Sequence, residues 1–377
     1  MVKPFAQQGL CTFLEEELKL LPVPPIHQQG ENETLSMDVR KILCRLHDIG
    51  EVVGGQVCVV DADGKTLVHE VVGSSGSLVN DTPMRPDSLV LGYSCTKAIT
   101  ASIAHVMVAE GYLSLDEPLC ERVWISFSPS DHPPPHLAIA LNITMEDLTT
   151  RWSWKRQVTL RHVLTHGAGF WSALPAQLTV QMMASCEKCV AAFEYDEGAP
   201  ESTLLPTSAP GTETQYHFLS FGWLVAGALT GAYAAKHGLR PNDVTFEMVY
   251  DAVLLPKLSA KTITSGFSPC GRRGDLPLAL TEIDGFDLTE ILQKHREMEA
   301  QGESVALQEE FRQVREQFRR KEFLLDQRIW NCGIAQTANC PAAGGRFTAE
   351  GLANFYHDLG SRRILWMQLT WPKRLGA

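Results

Sequence analysis

A serine and a lysine three residues apart, Ser94 and Lys97, form a Ser-x-x-Lys pattern that can support nucleophilic catalysis. A serine hydroxyl needs a nearby base, and residues i and i+3 of a helix lie on one face within side-chain reach. The lysine must be neutral to act as that base, which requires burial or nearby positive charge. The pattern recurs at Ser185 and Lys188. The surroundings of each pair must therefore decide which of them is functional.

The chain before Ser94 predicts a helix followed by a β-hairpin. A 3.6-residue apolar period predicts a helix over 36–50, with Ser36 as its N-cap and Gly50 as its C-terminal stop. Two β-branched runs, Gly55–Val60 and Thr66–Val72, are separated by turn residues and predict the hairpin.

The chain after Ser94 predicts a buried helix. Apolar residues recur on one helical face as far as Gly111, at positions Ile99, Ile103, Val106 and Met107. Ser94 is therefore expected at a helix N-terminus, where free N–H groups can stabilise a developing oxyanion.

Later stretches of the chain carry a family resemblance when they are taken together with Ser94 and Lys97. The quoted stretches are Val158–Phe170, Pro210–Gly227, Leu325–Asn331 and Gly344–Tyr356. In this order they resemble the serine β-lactamase and penicillin-binding-protein superfamily, in particular its class C-like esterase branch. The resemblance covers roughly residues 40–360.

The resemblance implies an α/β (α+β) fold, in which helices flank an antiparallel sheet and a mostly helical part is inserted. It also implies a domain layout with an N-terminal extension and one β-lactamase-like domain. The predicted parts are the extension 1–35 and the domain 36–377, composed of the hairpin part 36–95, the helical part 96–325 with insertions at 126–157 and 290–325, and an incomplete return to the sheet at 326–377. The insertion at 126–157 is expected to show little periodicity of its own.

The resemblance assigns catalytic roles to Ser94, Lys97 and Tyr216. Ser94 would attack an ester or amide carbonyl, and Lys97 and Tyr216 would move the proton. No metal or organic cofactor is expected, and the substrate would be a small molecule. The position two residues after Tyr216, polar in family members that act on lactams, is Phe218 here. This difference favours an esterase over a lactamase.

The third family motif, Lys/His-x-Gly, does not occur in the 21 residues after Tyr356. The resemblance therefore implies that the chain is C-terminally truncated and that the strands after Tyr356 are missing. Loss of one oxyanion donor costs roughly 2.7–4 kcal/mol of transition-state stabilisation. The alternative to an active hydrolase is a catalytically impaired or inactive binding or regulatory protein, or a fragment of a longer enzyme.

Two further constellations have weaker functional interpretations. His162 and His166 lie one helical turn apart and could share a metal, but the glutamate of the metalloprotease pattern is absent between them. Cys186 and Cys189 form a lone CxxC pattern, which is interpreted as a pair of reduced cysteines.

Composition excludes several classes of function. The 33 Lys+Arg against 44 Asp+Glu give a net charge of −11, which argues against a nucleic-acid partner. The uncharged run Phe218–Ala235 is long enough to consider a membrane span, but its glycines and polar residues favour a buried helix. No secretory signal is visible at the start of the sequence, so the cytoplasm is the expected location. The sequence does not indicate an oligomeric state.

Overall fold

The computed structural model describes residues 31–75, 82–175, 178–271, 330–331 and 333–361. The predicted insertion at 290–325 lies outside these ranges, as do most of the predicted extension 1–35 and residues 362–377 of the predicted incomplete return to the sheet at 326–377. The described residues form two compact units: one comprises 31–59, 66–75 and 82–84, and the other holds the remaining described residues. The domain layout expected from the sequence stays a prediction.

The first unit contains helix α1 (Glu31–Asp48) and the hairpin strands β1 (Gly54–Val60) and β2 (Thr66–Gly73). The hairpin prediction is confirmed to within a residue at each end. The prediction of Ser36 as N-cap is wrong, because α1 begins five residues earlier. Ser36 lies inside the helix and its hydroxyl donates to the Glu70 carboxylate on β2 at 2.6 Å.

The second unit is mainly helical. Its α-helices are α2 (Thr96–Ala109), α3 (Leu119–Arg122), α4 (Pro135–Leu141), α5 (Met145–Arg156), α6 (Leu160–Leu164), α7 (Val180–Met183), α8 (Cys186–Ala191), α9 (Ser220–His237), α10 (Phe246–Val249), α11 (Ala260–Thr264), α12 (Gly333–Gln336) and α13 (Ala349–Gly360). A π-helical segment covers Tyr250–Leu254, and 3-10 turns cover Tyr93–Cys95, Ile125–Phe127, Pro200–Ser202, Pro241–Asp243 and Leu255–Lys257.

A short antiparallel sheet joins distant parts of the second unit. Its strands lie in the order β3 (Val90–Leu91), β5 (Arg346–Phe347) and β4 (Phe267–Ser268). Phe347 pairs with Val90 on one side and with Phe267 on the other. The mixed α/β class with antiparallel sheets and flanking helices is confirmed. The central strand β5 holds the segment before it beside the start of α2.

The segment 126–157 is more ordered than the sequence predicts. It contains α4 and α5, and their apolar side chains form a cluster of buried residues with Leu205 from a later loop, comprising Leu137, Ala138, Leu148, Trp152 and Leu205. The expectation of little periodicity holds for α5, whose apolar residues do not follow a helical period, yet both helices form. Prolines and polar residues obscure two short helices whose inward faces carry few apolar residues.

Helix α9 is the buried helix predicted from the uncharged run, and it begins two residues later than that run. Its Gly231 allows close contact, because a Cβ there would lie 1.8 Å from the Val123 carbonyl oxygen. Within the described ranges, no helix has the length and apolarity needed to cross a membrane.

Candidate active site

Ser94 lies in the 3-10 turn Tyr93–Cys95, directly before α2, and its side chain is exposed. The turn is sharp: Tyr93 has φ +41°, a left-handed conformation that non-glycine residues rarely adopt. Gly92 before it packs tightly, since a Cβ there would lie 2.4 Å from the Phe347 ring. The turn leaves Ser94 exposed at the N-terminus of a buried helix, which is the position that the sequence predicts.

Lys97 is the second residue of α2, one turn after Ser94, and is only 8% exposed. Its Nζ is 3.3 Å from Ser94 Oγ and donates to two main-chain carbonyls, Phe218 O at 2.8 Å and Ala342 O at 3.1 Å. A neutral amine has two N–H donors and one lone pair. When the two carbonyls take both N–H groups, the lone pair is left facing the serine hydroxyl. This arrangement suits a base that accepts the serine proton.

Burial lowers the pKa of Lys97 below the ordinary lysine value, and the nearby Tyr216 phenol opposes this effect only in part. The amine also lies among aromatic rings, 4.8 Å from the ring centre of Tyr216 and 5.8 Å from that of Phe218. A lowered pKa increases the fraction of neutral amine near pH 7, which a general base requires.

Tyr216 completes the contacts around the serine hydroxyl. Its phenol donates to Ser94 Oγ at 2.6 Å, although the two residues are 122 positions apart in the chain. The side chain is 49% exposed, so it faces both the serine and solvent. The structure thus brings together the three residues that the sequence nominated, while their catalytic roles stay a prediction.

The two carbonyls around Lys97 were not foreseen from the sequence. Phe218 was expected to matter only through the polar side chain it replaces, yet its carbonyl oxygen accepts from the lysine. The Ala342 carbonyl comes from a loop whose neighbouring Pro341 carbonyl accepts from Thr100 of α2 at 2.6 Å. Because these acceptors belong to the main chain, side-chain identity carries no signal for them.

The second Ser-x-x-Lys copy has a structural role. Ser185 is the N-cap of α8, and its hydroxyl oxygen accepts the backbone N–H of Lys188 at 3.3 Å. Cys186 and Cys189 in the same helix are buried free thiols, and burial raises the pKa of each. Buried thiols with raised pKa values are poor nucleophiles and poor metal ligands.

The histidine pair binds main-chain groups. His162 Nδ1 accepts from Thr159 N at 3.2 Å, and His166 Nδ1 accepts from His217 N at 3.1 Å. In the part of the chain that the structure describes, no three His, Cys, Asp or Glu side chains are grouped to hold a metal ion.

Comparisons with known proteins agree with this architecture. A family VIII carboxylesterase of known structure has a TM-score of 0.57 and 16% identity, over 89% of this chain and 71% of that chain. A penicillin-binding-protein homologue from Caulobacter crescentus has a TM-score of 0.53 and 18% identity, over 84% of this chain and 67% of that chain. At these identities the likeness shows a shared fold.

Sequence comparison gives the family. No curated protein matches the chain at a significant level. The beta-lactamase family profile matches residues 39–375, well over half of the chain. The resemblance seen in the motifs is therefore confirmed, and the chain belongs to the beta-lactamase family.

Proposed function

We propose that this protein is a serine hydrolase that cleaves a small ester or amide through an acyl-enzyme intermediate on Ser94. The observation that carries the proposal is the geometry around the serine hydroxyl. Its Oγ lies 3.3 Å from the buried Lys97 amine and 2.6 Å from the Tyr216 phenol. An exposed hydroxyl between a buried amine and a phenol is arranged to lose and regain a proton.

The reaction would run in two halves. In the first, the Ser94 proton moves to Lys97 Nζ, a bond forms from Oγ to the carbonyl carbon, and the carbonyl electron pair moves to its oxygen. Collapse of this intermediate breaks the bond to the leaving group, which takes a proton from Lys97 through Tyr216. In the second half, water attacks the acyl-enzyme by the reverse proton route and releases the acid and free Ser94.

One observation supports an ester over a lactam substrate. Phe218 stands where lactam-acting family members carry a polar side chain, and its ring lies 5.8 Å from Lys97 Nζ beside the serine. The fold is compatible with ester cleavage, because a carboxylesterase shares it, but a penicillin-binding-protein homologue shares it as well. No cofactor takes part in the proposed reaction, and the cytoplasmic location stays a prediction.

Hydrolysis of a short-chain p-nitrophenyl ester tests the proposal, with the chromogenic cephalosporin nitrocefin as the lactam comparison. Wild-type protein is expected to turn over the ester faster than nitrocefin, and Ser94→Ala is expected to lower ester turnover by at least about a thousandfold. The matched control is Ser185→Ala, in the second Ser-x-x-Lys copy, which should leave turnover unchanged. Equal turnover by wild type and Ser94→Ala would refute the assignment, and preferred turnover of nitrocefin would refute the substrate class.

A further inference from the structure

We propose that His166 is a positioning residue that holds Tyr216 against Ser94 by binding the peptide groups on both sides of the tyrosine. The inference rests on the proposed function, since it gives Tyr216 a part in proton transfer. It concerns a histidine that lies outside the Ser94, Lys97 and Tyr216 set.

His166 is held in a conformation that its residue type disfavours. It follows α6 at the end of a turn and has φ +60° in the left-handed region. A non-glycine residue keeps such a conformation only where the surrounding structure holds it there. Among the described residues, only Tyr93, Asn142 and His166 are non-glycine residues with positive φ. Tyr93 directly precedes Ser94 in the chain, and the His166 ring packs against the Tyr216 ring.

The contacts of His166 bracket Tyr216 in the chain. The His166 main-chain carbonyl accepts from Gln215 N at 3.1 Å, and its ring Nδ1 accepts from His217 N at 3.1 Å. The backbone N–H groups of Gln215 and His217, the two neighbours of Tyr216, therefore both donate to His166. The imidazole also packs against the tyrosine ring, with 4.8 Å between the ring centres.

A second histidine secures the same peptide segment. His217 is fully buried, and its Nε2 accepts from Phe170 N at 3.0 Å. Its other ring nitrogen, Nδ1, must then carry the proton and donates to the Gln215 carbonyl at 2.7 Å. The Gln215 and His217 peptide groups are thus fixed on both sides of Tyr216.

This bracket matters because side-chain packing covers the tyrosine only in part. Tyr216 is about half exposed, yet its phenol must stay at 2.6 Å from Ser94 Oγ. A displacement of about 1 Å at a reacting group can cost on the order of a hundredfold in rate. Restraint of the backbone supplies the order that side-chain packing does not.

The hydrogen bonds require His166 to be neutral with its proton on Nε2, because Nδ1 accepts from His217 N. Lys97, Tyr216, His217 and Phe221 surround the imidazole. Burial, and to a smaller extent the charge of Lys97, lowers the pKa of His166 and so favours the neutral form.

Two substitutions separate the acceptor from the backbone conformation. His166→Asn keeps a side-chain acceptor near the position of Nδ1 and tolerates positive φ, whereas His166→Gly tolerates positive φ and removes the acceptor. The Asn variant is expected to keep kcat for the ester within about threefold of wild type. The Gly variant is expected to lose roughly 10- to 100-fold in kcat with little change in KM. Equal kcat in both variants, or a loss confined to KM, would overturn the proposal.

A spectroscopic measurement keeps this proposal separate from the proposed function and from folding defects. In ¹⁵N-histidine NMR spectra of the wild-type protein near neutral pH, His166 is expected as the Nε2–H tautomer and His217 as the Nδ1–H tautomer. A proton on His166 Nδ1 would overturn the inference even in a fully active protein. The predicted tautomers in a protein without hydrolase activity would refute only the proposed function.

Discussion

The fully buried Lys155 on α5 allows a quantitative test of how burial acts on a lysine in this protein. Its Nζ donates to the Leu204 carbonyl at 3.1 Å and lies 4.8 Å from the ring centre of Phe127 and 5.7 Å from that of Trp152. Burial lowers the pKa of Lys155 from 10.5 to about 7, although Glu194 opposes the shift. We expect Lys155→Met to change stability in a strongly pH-dependent way.

The direction and size follow from proton linkage. The folded-state pKa lies below the unfolded value, so between about pH 7 and pH 10.5 the unfolded chain binds more protons at this site. The contribution of Lys155 to stability therefore rises with pH through this window and is least favourable below pH 7. At about 1.4 kcal/mol per pH unit, the change between pH 6 and pH 9 is about 2 to 3 kcal/mol.

Urea unfolding followed by tryptophan fluorescence at pH 6 and pH 9 measures this effect. The change in unfolding free energy caused by Lys155→Met should be more favourable at pH 6 by about 2 to 3 kcal/mol. Lys188→Met is the control, because Lys188 is exposed on α8 and its replacement should act within about 0.5 kcal/mol at both pH values. A pH-independent effect of Lys155→Met would refute the reasoning.

Two further predictions concern Lys97 and its carbonyl partners. Because burial lowers the pKa of Lys97, log(kcat/KM) for the ester should rise with pH and level off below the ordinary lysine value of 10.5. Lys97→Arg should abolish this activity, because arginine cannot lose its proton. A wild-type profile that still rises above pH 10.5 would contradict this prediction. Gly222→Ala places a Cβ 2.4 Å from Ala342 N and 2.8 Å from Pro341 C, so it should lower turnover and also lower the unfolding free energy by about 1 to 3 kcal/mol. Gly360→Ala is the control, because a Cβ there has nothing within 4 Å and should change neither quantity. Equal urea midpoints and equal turnover for the two variants would contradict the packing argument.

The two buried lysines show why burial alone does not identify a catalytic base. Burial lowers the pKa of both Lys97 and Lys155. Lys97 faces an exposed hydroxyl on the same helix face, whereas Lys155 faces aromatic rings and one carbonyl. Only the first lysine has a proton donor within reach that can become a nucleophile.

Local patterns predict the parts of the fold that depend on local physical chemistry. The hairpin follows from β-branched runs around a turn, and the apolar face of α2 follows from its period, because burial on one side needs that spacing. The start of α1 could not be predicted in the same way. Ser36 has the residue type of an N-cap but uses its hydroxyl to bind Glu70, a contact made only in the folded chain.

The candidate active site likewise has one part that local sequence patterns predict and one part that they do not. The i, i+3 spacing of Ser94 and Lys97 is local, so it can be identified from sequence, and Tyr216 could be added by resemblance. The carbonyls of Phe218 and Ala342 and the bracket formed by His166 depend on main-chain groups brought together from distant segments. Sequence patterns describe side chains, so they carry no signal for the two carbonyls, and they single out His166 without showing which backbone groups it binds.

The second Ser-x-x-Lys copy, at Ser185 and Lys188, shows why a short motif does not by itself identify a catalytic site. Serine at this position caps a helix, so the same four-residue pattern arises from helix-capping chemistry without any link to catalysis. The two copies differ in what their lysines contact: Lys97 reaches its serine through the side chain, whereas Lys188 reaches it through the backbone N–H.

Labelling with a fluorophosphonate probe, followed by mass spectrometry of the modified peptide, tests the central claim most directly. A fluorophosphonate reacts with an activated serine whatever the natural substrate is, so the unknown acyl group does not affect the outcome. Wild-type protein should carry one label on Ser94, Ser185→Ala should label equally, and Ser94→Ala should not label. Equal labelling of wild type and Ser94→Ala, or no labelling of wild type, would contradict the assignment of Ser94 as an activated nucleophile.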